Sequence, residues 1–78
     1  MITVRYFAAA AEAAGRDTEP LATGTAAQVR AAIGQRHGAS MVALLPRCSL
    51  LADGVRVDGA DPVPAGATLD VLPPFAGG

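Results

Sequence analysis

The clearest helix in this chain begins at Thr25, and the short segments flanking it fix what it can pack against. Thr25-Ala26-Ala27-Gln28 fits a capping box, in which the Thr25 hydroxyl accepts the Gln28 amide and the Gln28 side chain reaches back to the Thr25 amide. Val29 and Ile33, with Ala32 beside them, form one apolar stripe at helical spacing, and Arg30 and Gln35 fall on the other side. Gly38 supplies a left-handed residue to end the run near His37. Gly34 inside it costs about 1 kcal/mol against alanine, so the last turn is expected to be loose.

The rest of the chain reads mainly as strands. Ile2, Val4 and Tyr6 alternate with Thr3, Arg5 and Phe7, the period-2 signature of a strand. The alanine run at 8–14 favours helix, with Gly15 as its stop, but is too short to hold without packing. Residues 17–23 return as a second strand, and Pro20, lacking an amide donor, places it at a sheet edge. Residues 40–45 form a further helical turn, closed by Pro46. Cys48, Leu50 and Ala52 alternate with Ser49, Leu51 and Asp53, and Asp53-Gly54 is a hairpin signal that returns the chain through Val55 to Val57. Asp58-Gly59 and Pro64-Ala65-Gly66 mark turns, and Thr68–Leu72 is the last strand, with Leu69 and Val71 on one face. This order predicts an α+β domain, a mixed sheet with one main helix packed across it, spanning residues 1–78 as a single unit.

Several functions are disfavoured. A net charge of -1 with six dispersed arginines gives no electrostatic case for nucleic acid. No apolar run is long enough for a bilayer, and the first residues lack a signal-peptide pattern. Cys48 is the single cysteine, so no disulfide forms, and the chain reads as soluble and cytoplasmic. No metal or cofactor site is expected: His37 and Cys48 do not make a ligand set, and Asp53, Asp58, Asp61 and Asp70 lack the alternation and closing Glu of a calcium loop. The four aspartates read instead as turn residues, His37 as a solvated helix-end residue, and Cys48 as a small core or interface filler.

The last strand runs directly into Pro73-Pro74-Phe75-Ala76-Gly77-Gly78. Two prolines stop the ladder and favour an extended course, so residues 73–78 are expected to project as an arm. Gly77 and Gly78 make that arm slim enough for a narrow channel and leave the final carbonyl open to attack. A carboxylate is a poor electrophile, so acyl chemistry on it needs activation, typically as an adenylate formed from ATP. The expected working group is thus the backbone carboxylate of Gly78. Phe75 is either a lid on the core or an anchor in a partner's pocket.

Over its whole length the chain resembles the small subunits of molybdopterin synthase, sulfur carriers of the ubiquitin-like β-grasp fold. The most specific part is the ending: Thr68-Leu69-Asp70-Val71-Leu72, then Pro73-Pro74, an apolar residue, a small residue, and Gly77-Gly78. Phe75 stands where the family usually has Val, and Asp53-Gly54 where it more often has Asn and another polar residue. The resemblance implies that a ubiquitin-activating-like adenylyltransferase adenylates Gly78 with ATP and that a sulfur donor enzyme converts the acyl-adenylate to a thiocarboxylate. It implies further that the tail, with Pro73, Pro74, Phe75, Ala76 and Gly77 as its partner-binding part, inserts into the large synthase subunit. There the sulfur passes to a cyclic pyranopterin monophosphate, within a heterotetramer. The chain would hold no permanent cofactor and would not be an enzyme alone. Carriers for cysteine synthesis end similarly, and a protein modifier would start from the same adenylate. Thiamin carriers usually turn an Asn-Gly hairpin straight after the first strand, where this chain has residues 8–14.

Overall fold

The computed structural model describes residues 1–74. Along the chain run β1 (Ile2–Tyr6), α1 (Ala9–Ala14), β2 (Thr18–Leu21), β3 (Gly24–Thr25), α2 (Ala26–His37) and α3 (Ala39–Leu44). A 3-10 turn (Leu45–Arg47) then leads to β4 (Ser49–Ala52), β5 (Val55–Val57), β6 (Pro62–Val63) and β7 (Thr68–Leu72). Five strands form one mixed sheet in the order β2-β1-β7-β4-β5, with β7 parallel to β1 and antiparallel to β4. The architecture is the expected α+β β-grasp, with one main helix across the sheet.

The alternation in β1 places Ile2, Val4 and Tyr6 in the core and leaves Thr3 and Arg5 exposed. On β7, Leu69 and Val71 are fully buried beside Leu50 of β4, and Val29 and Ile33 of α2 complete the same cluster. Pro20 lies on β2, at the sheet edge, where its missing donor costs no ladder bond. Asp53 and Gly54 both have positive φ (47° and 83°), the twist a tight β4–β5 hairpin requires. The capping box of α2 is complete, with Gln28 N–H donating to Thr25 Oγ1 at 3.2 Å and Thr25 N–H to Gln28 Oε1 at 2.9 Å.

Four expectations are corrected. The last turn of α2 is closed, with Gly38 N–H donating to Gly34 O at 2.9 Å. Gly34 is buried, and a Cβ there would lie 3.1 Å from Val42 Cγ2, so glycine lets α3 approach α2 closely. Gly38 has positive φ (85°), but its ψ of -161° is extended and not left-handed helical. Pro46 does not close α3; it sits inside the 3-10 turn, whose early positions need no amide donor. The pairing of β3 with β6 was not foreseen, because two-residue segments carry no period. Asp70 is a strand residue of β7 that faces Arg5 across the sheet, not a turn residue.

Candidate functional site

The predicted tail begins where the central strand stops. Phe7 N–H donates to Val71 O at 3.3 Å, and Ser49 is the register partner of Leu72, so β7 is held on both sides to its end. Pro73 and Pro74 follow and have no amide to extend the ladder; Pro73 is buried and Pro74 exposed in a turn. Phe75, Ala76, Gly77 and Gly78 lie outside the described residues, as do the two readings of Phe75.

Around this exit the sheet face away from α2 carries a mixed surface. Cross-strand register aligns Thr18, Arg5, Asp70, Leu51 and Arg56 in one row over the five strands. Arg5 grips Asp70 with two bonds, Nε to Oδ1 at 2.7 Å and Nη2 to Oδ2 at 3.0 Å. That hydrogen bond, and then the Asp70 charge, raises the Arg5 pKa above its ordinary value. The Arg5 guanidinium also lies 5.4 Å from the centre of the Phe7 ring. Half-buried Phe7, Leu51 and Leu72 thus adjoin a compensated ion pair at the base of the tail.

Beneath the same end of the sheet lies a group that the sequence reading missed. Glu19 of β2 is 2% exposed, the single buried charged residue of the described chain. Its Oε2 accepts from the Tyr6 hydroxyl and from His37 Nε2, which carries a proton where it faces the carboxylate. Arg36 Nε lies 2.8 Å and Arg16 Nη1 3.7 Å from Oε1. Neither is aligned as a hydrogen bond, so Oε1 is neutralised by charge without accepting a proton. Burial alone would raise the Glu19 pKa; the hydrogen bonds from Tyr6 and His37, with the charges of His37 and Arg36, outweigh it and hold the carboxyl below its usual value. Burial first, then the bond to Glu19, pushes the Tyr6 hydroxyl up.

His37 is therefore not a solvated helix end. It continues the Val29–Ile33 stripe by a further four residues, which turns its ring inward onto Glu19 and edge-on to Tyr6, at a ring-centre distance of 5.5 Å. Two signals in the sequence pointed to this: that spacing, and the shared strand phase of Glu19 with Leu21. Cys48, between the 3-10 turn and β4, is buried as expected, with Sγ 3.5 Å from Leu44 O, and burial raises its pKa. Among the described residues no cluster of His, Cys, Asp and Glu is placed to hold a metal, and no helix is long and apolar enough to cross a membrane.

Comparison with known proteins follows this geometry. The ThiS family model matches residues 4–78, a span that includes the glycine ending. A solved structure from Pyrococcus furiosus, provisionally designated molybdopterin converting factor subunit 1, has a TM-score of 0.76 at 22% identity, covering 95% of this chain and 97% of that one. SAMP1 from Haloferax volcanii gives 0.72 at 23% identity, covering 99% and 98%. At these identities the two structures speak for the fold alone. No curated protein matches in sequence. On the family match across nearly its whole length, the chain belongs to the ThiS family, as a small non-catalytic sulfur carrier or ubiquitin-like protein.

Proposed function

We propose that this chain is the sulfur-donating small subunit of a molybdopterin synthase and that Gly78 carries the sulfur. The observation that carries the reading is the ending itself: a central strand, Pro73-Pro74, Phe75, a small residue and Gly77-Gly78, in a chain whose family match extends to the last glycine. In the first step a carboxylate oxygen of Gly78 attacks the α-phosphorus of ATP on the adenylyltransferase, and pyrophosphate leaves. A persulfide of the sulfur donor enzyme then adds to the acyl carbon and displaces AMP. A second thiol cleaves the resulting S–S bond, becoming part of a disulfide, and leaves the thiocarboxylate on Gly78. In the synthase the thiocarboxylate sulfur attacks a carbon of the pterin precursor and displaces an oxygen substituent from it; water then hydrolyses the resulting thioester, leaving the sulfur on the pterin and a carboxylate on Gly78. A dithiolene has two sulfurs, so two charged carriers are consumed.

The described chain contributes shape to this cycle. The row of Arg5, Asp70, Leu51 and Arg56, with Phe7 and Leu72, supports a reading as the docking surface beside the tail. The test is affinity purification of the tagged chain from its own cells. A large synthase subunit in stoichiometric amount is the expected result. Recovery instead of a cysteine-forming enzyme, or of the chain joined through Gly78 to lysines of other proteins, would assign the carrier to those uses.

A further inference from the structure

The pole at which β7 ends holds one buried group with no part in the sulfur chemistry, the carboxylate of Glu19. Its partners come from the elements that meet there. Tyr6 is the last residue of β1, Arg16 precedes β2, and Arg36 and His37 are the last turn of α2. Tyr6 is also the register partner of Val71, and the next residue, Phe7, makes the bond to Val71 O. Immediately afterwards the chain leaves the sheet at Ala8, with φ 51° and ψ -124°, so β1 offers β7 no further rung. Pro73 and Pro74 have no donor of their own. Tyr6-Phe7 on one side and Ser49 on the other therefore set the direction in which β7 hands over to the tail. Tyr6 is itself held by its side chain on Glu19 and His37 and by its N–H on Asp17 O at 2.7 Å.

We infer that Glu19 is a positioning residue for the acyl-carrying tail, acting through Tyr6 on the last rung of β7. The inference rests on the reading of Gly78 as the working group. It concerns placement, not docking. Glu19 and the Tyr6 ring lie on the core side of the sheet, while Arg5, Leu51 and Leu72 belong to the other face. Pro73 and Pro74 follow Leu72 directly and add no ladder bond, so an error in the direction of that last rung is not corrected by the sheet beyond it. Loosening the hub therefore slows adenylation at saturation and leaves the affinity for the activating enzyme intact.

The experiment measures sulfur charging against carrier concentration, with the adenylyltransferase, ATP and sulfur donor, well below each variant's melting temperature. Tyr6→Phe removes only the hydroxyl, and Glu19→Gln keeps the size of the side chain. Val57→Ala, in the core of β5 at the far edge of the sheet, is the control for lost stability alone. Both hub variants are expected to lose roughly tenfold in kcat with KM unchanged, since placement errors near ~1 Å can cost about a hundredfold. Val57→Ala keeps the wild-type kcat. A raised KM with unchanged kcat, or a kcat loss that Val57→Ala shares, overturns the inference. Should Glu19→Gln fail to fold, Tyr6→Phe decides alone. A wild-type chain that takes no sulfur overturns the Gly78 reading and this inference with it; charged wild type beside equally fast hub variants overturns this inference alone.

Discussion

Glu19→Ala is expected to be strongly destabilising. It would remove the acceptor shared by the Tyr6 hydroxyl and His37 Nε2, leaving a buried donor on β1 and a nearly buried one on α2. Leaving a buried polar group unpaired costs about 1–3 kcal/mol, and here two donors lose their shared acceptor. Arg16 and Arg36 are half exposed and can turn to water, so their share is only ~0–1 kcal/mol each. The net cost is therefore about 3 kcal/mol. A domain of this size has a total stability of roughly 4–12 kcal/mol, so the loss is a quarter or more of it. The melting temperature should fall by roughly 12–24 °C.

The same group has a pH signature whose sign is fixed. The folded carboxyl of Glu19 lies below its ordinary value, so its contribution is complete above the unfolded pKa of about 4.3 and is lost as pH falls through the lower folded pKa. Glu19→Gln lacks that titration. The gap in melting temperature between wild type and Glu19→Gln should narrow as the pH falls below about 4. Circular dichroism melts at falling pH provide the assay. A cost for Glu19→Ala under ~1 kcal/mol, or a gap that stays constant into acid, would refute the reasoning.

Two smaller changes test other parts of the account. Ala8→Gly should raise the melting temperature, because the strain of an L-residue at φ 51° exceeds the added chain entropy of glycine by about 1 kcal/mol; an unchanged or lower value would contradict that. Cys48→Ser should leave sulfur transfer intact, since the serine hydroxyl can donate to Leu44 O in place of Sγ; a folded variant unable to pass on sulfur would move the working group to the side chain.

The fold was legible where the signals are local and periodic. Ile2, Val4 and Tyr6, the Thr25 capping box and Asp53-Gly54 each specify one element by themselves, and the structure has all three. What was not legible depends on neighbours remote in sequence. Gly34 reads as a weak point in an isolated helix and becomes a close-packing site only once Val42 folds against it. His37 reads as a solvated helix-end residue, and only the crossing of α2 over the β2 edge brings it onto Glu19. Asp70 reads as a turn residue until β1 supplies Arg5. The tail is a different case: the expectation placed on it comes from Pro73, Pro74 and Gly78 in the sequence, and the structure adds the central strand that precedes them.

The central claim, that the backbone carboxylate of Gly78 is the working group, is tested most directly by intact-protein mass measurement. The chain is incubated with the adenylyltransferase, ATP and the sulfur donor, alongside variants lacking Gly78 or carrying one residue beyond it. Gly78 lies past Pro73 and Pro74, so both variants should melt as wild type does. One residue moves the carboxylate by roughly 3.3–3.6 Å, well beyond the ~1 Å at which reacting groups lose alignment. Wild type should gain the mass difference of one sulfur for one oxygen at its C-terminus, and both variants should gain nothing. Charging of the truncated or extended chain as readily as wild type would contradict the claim.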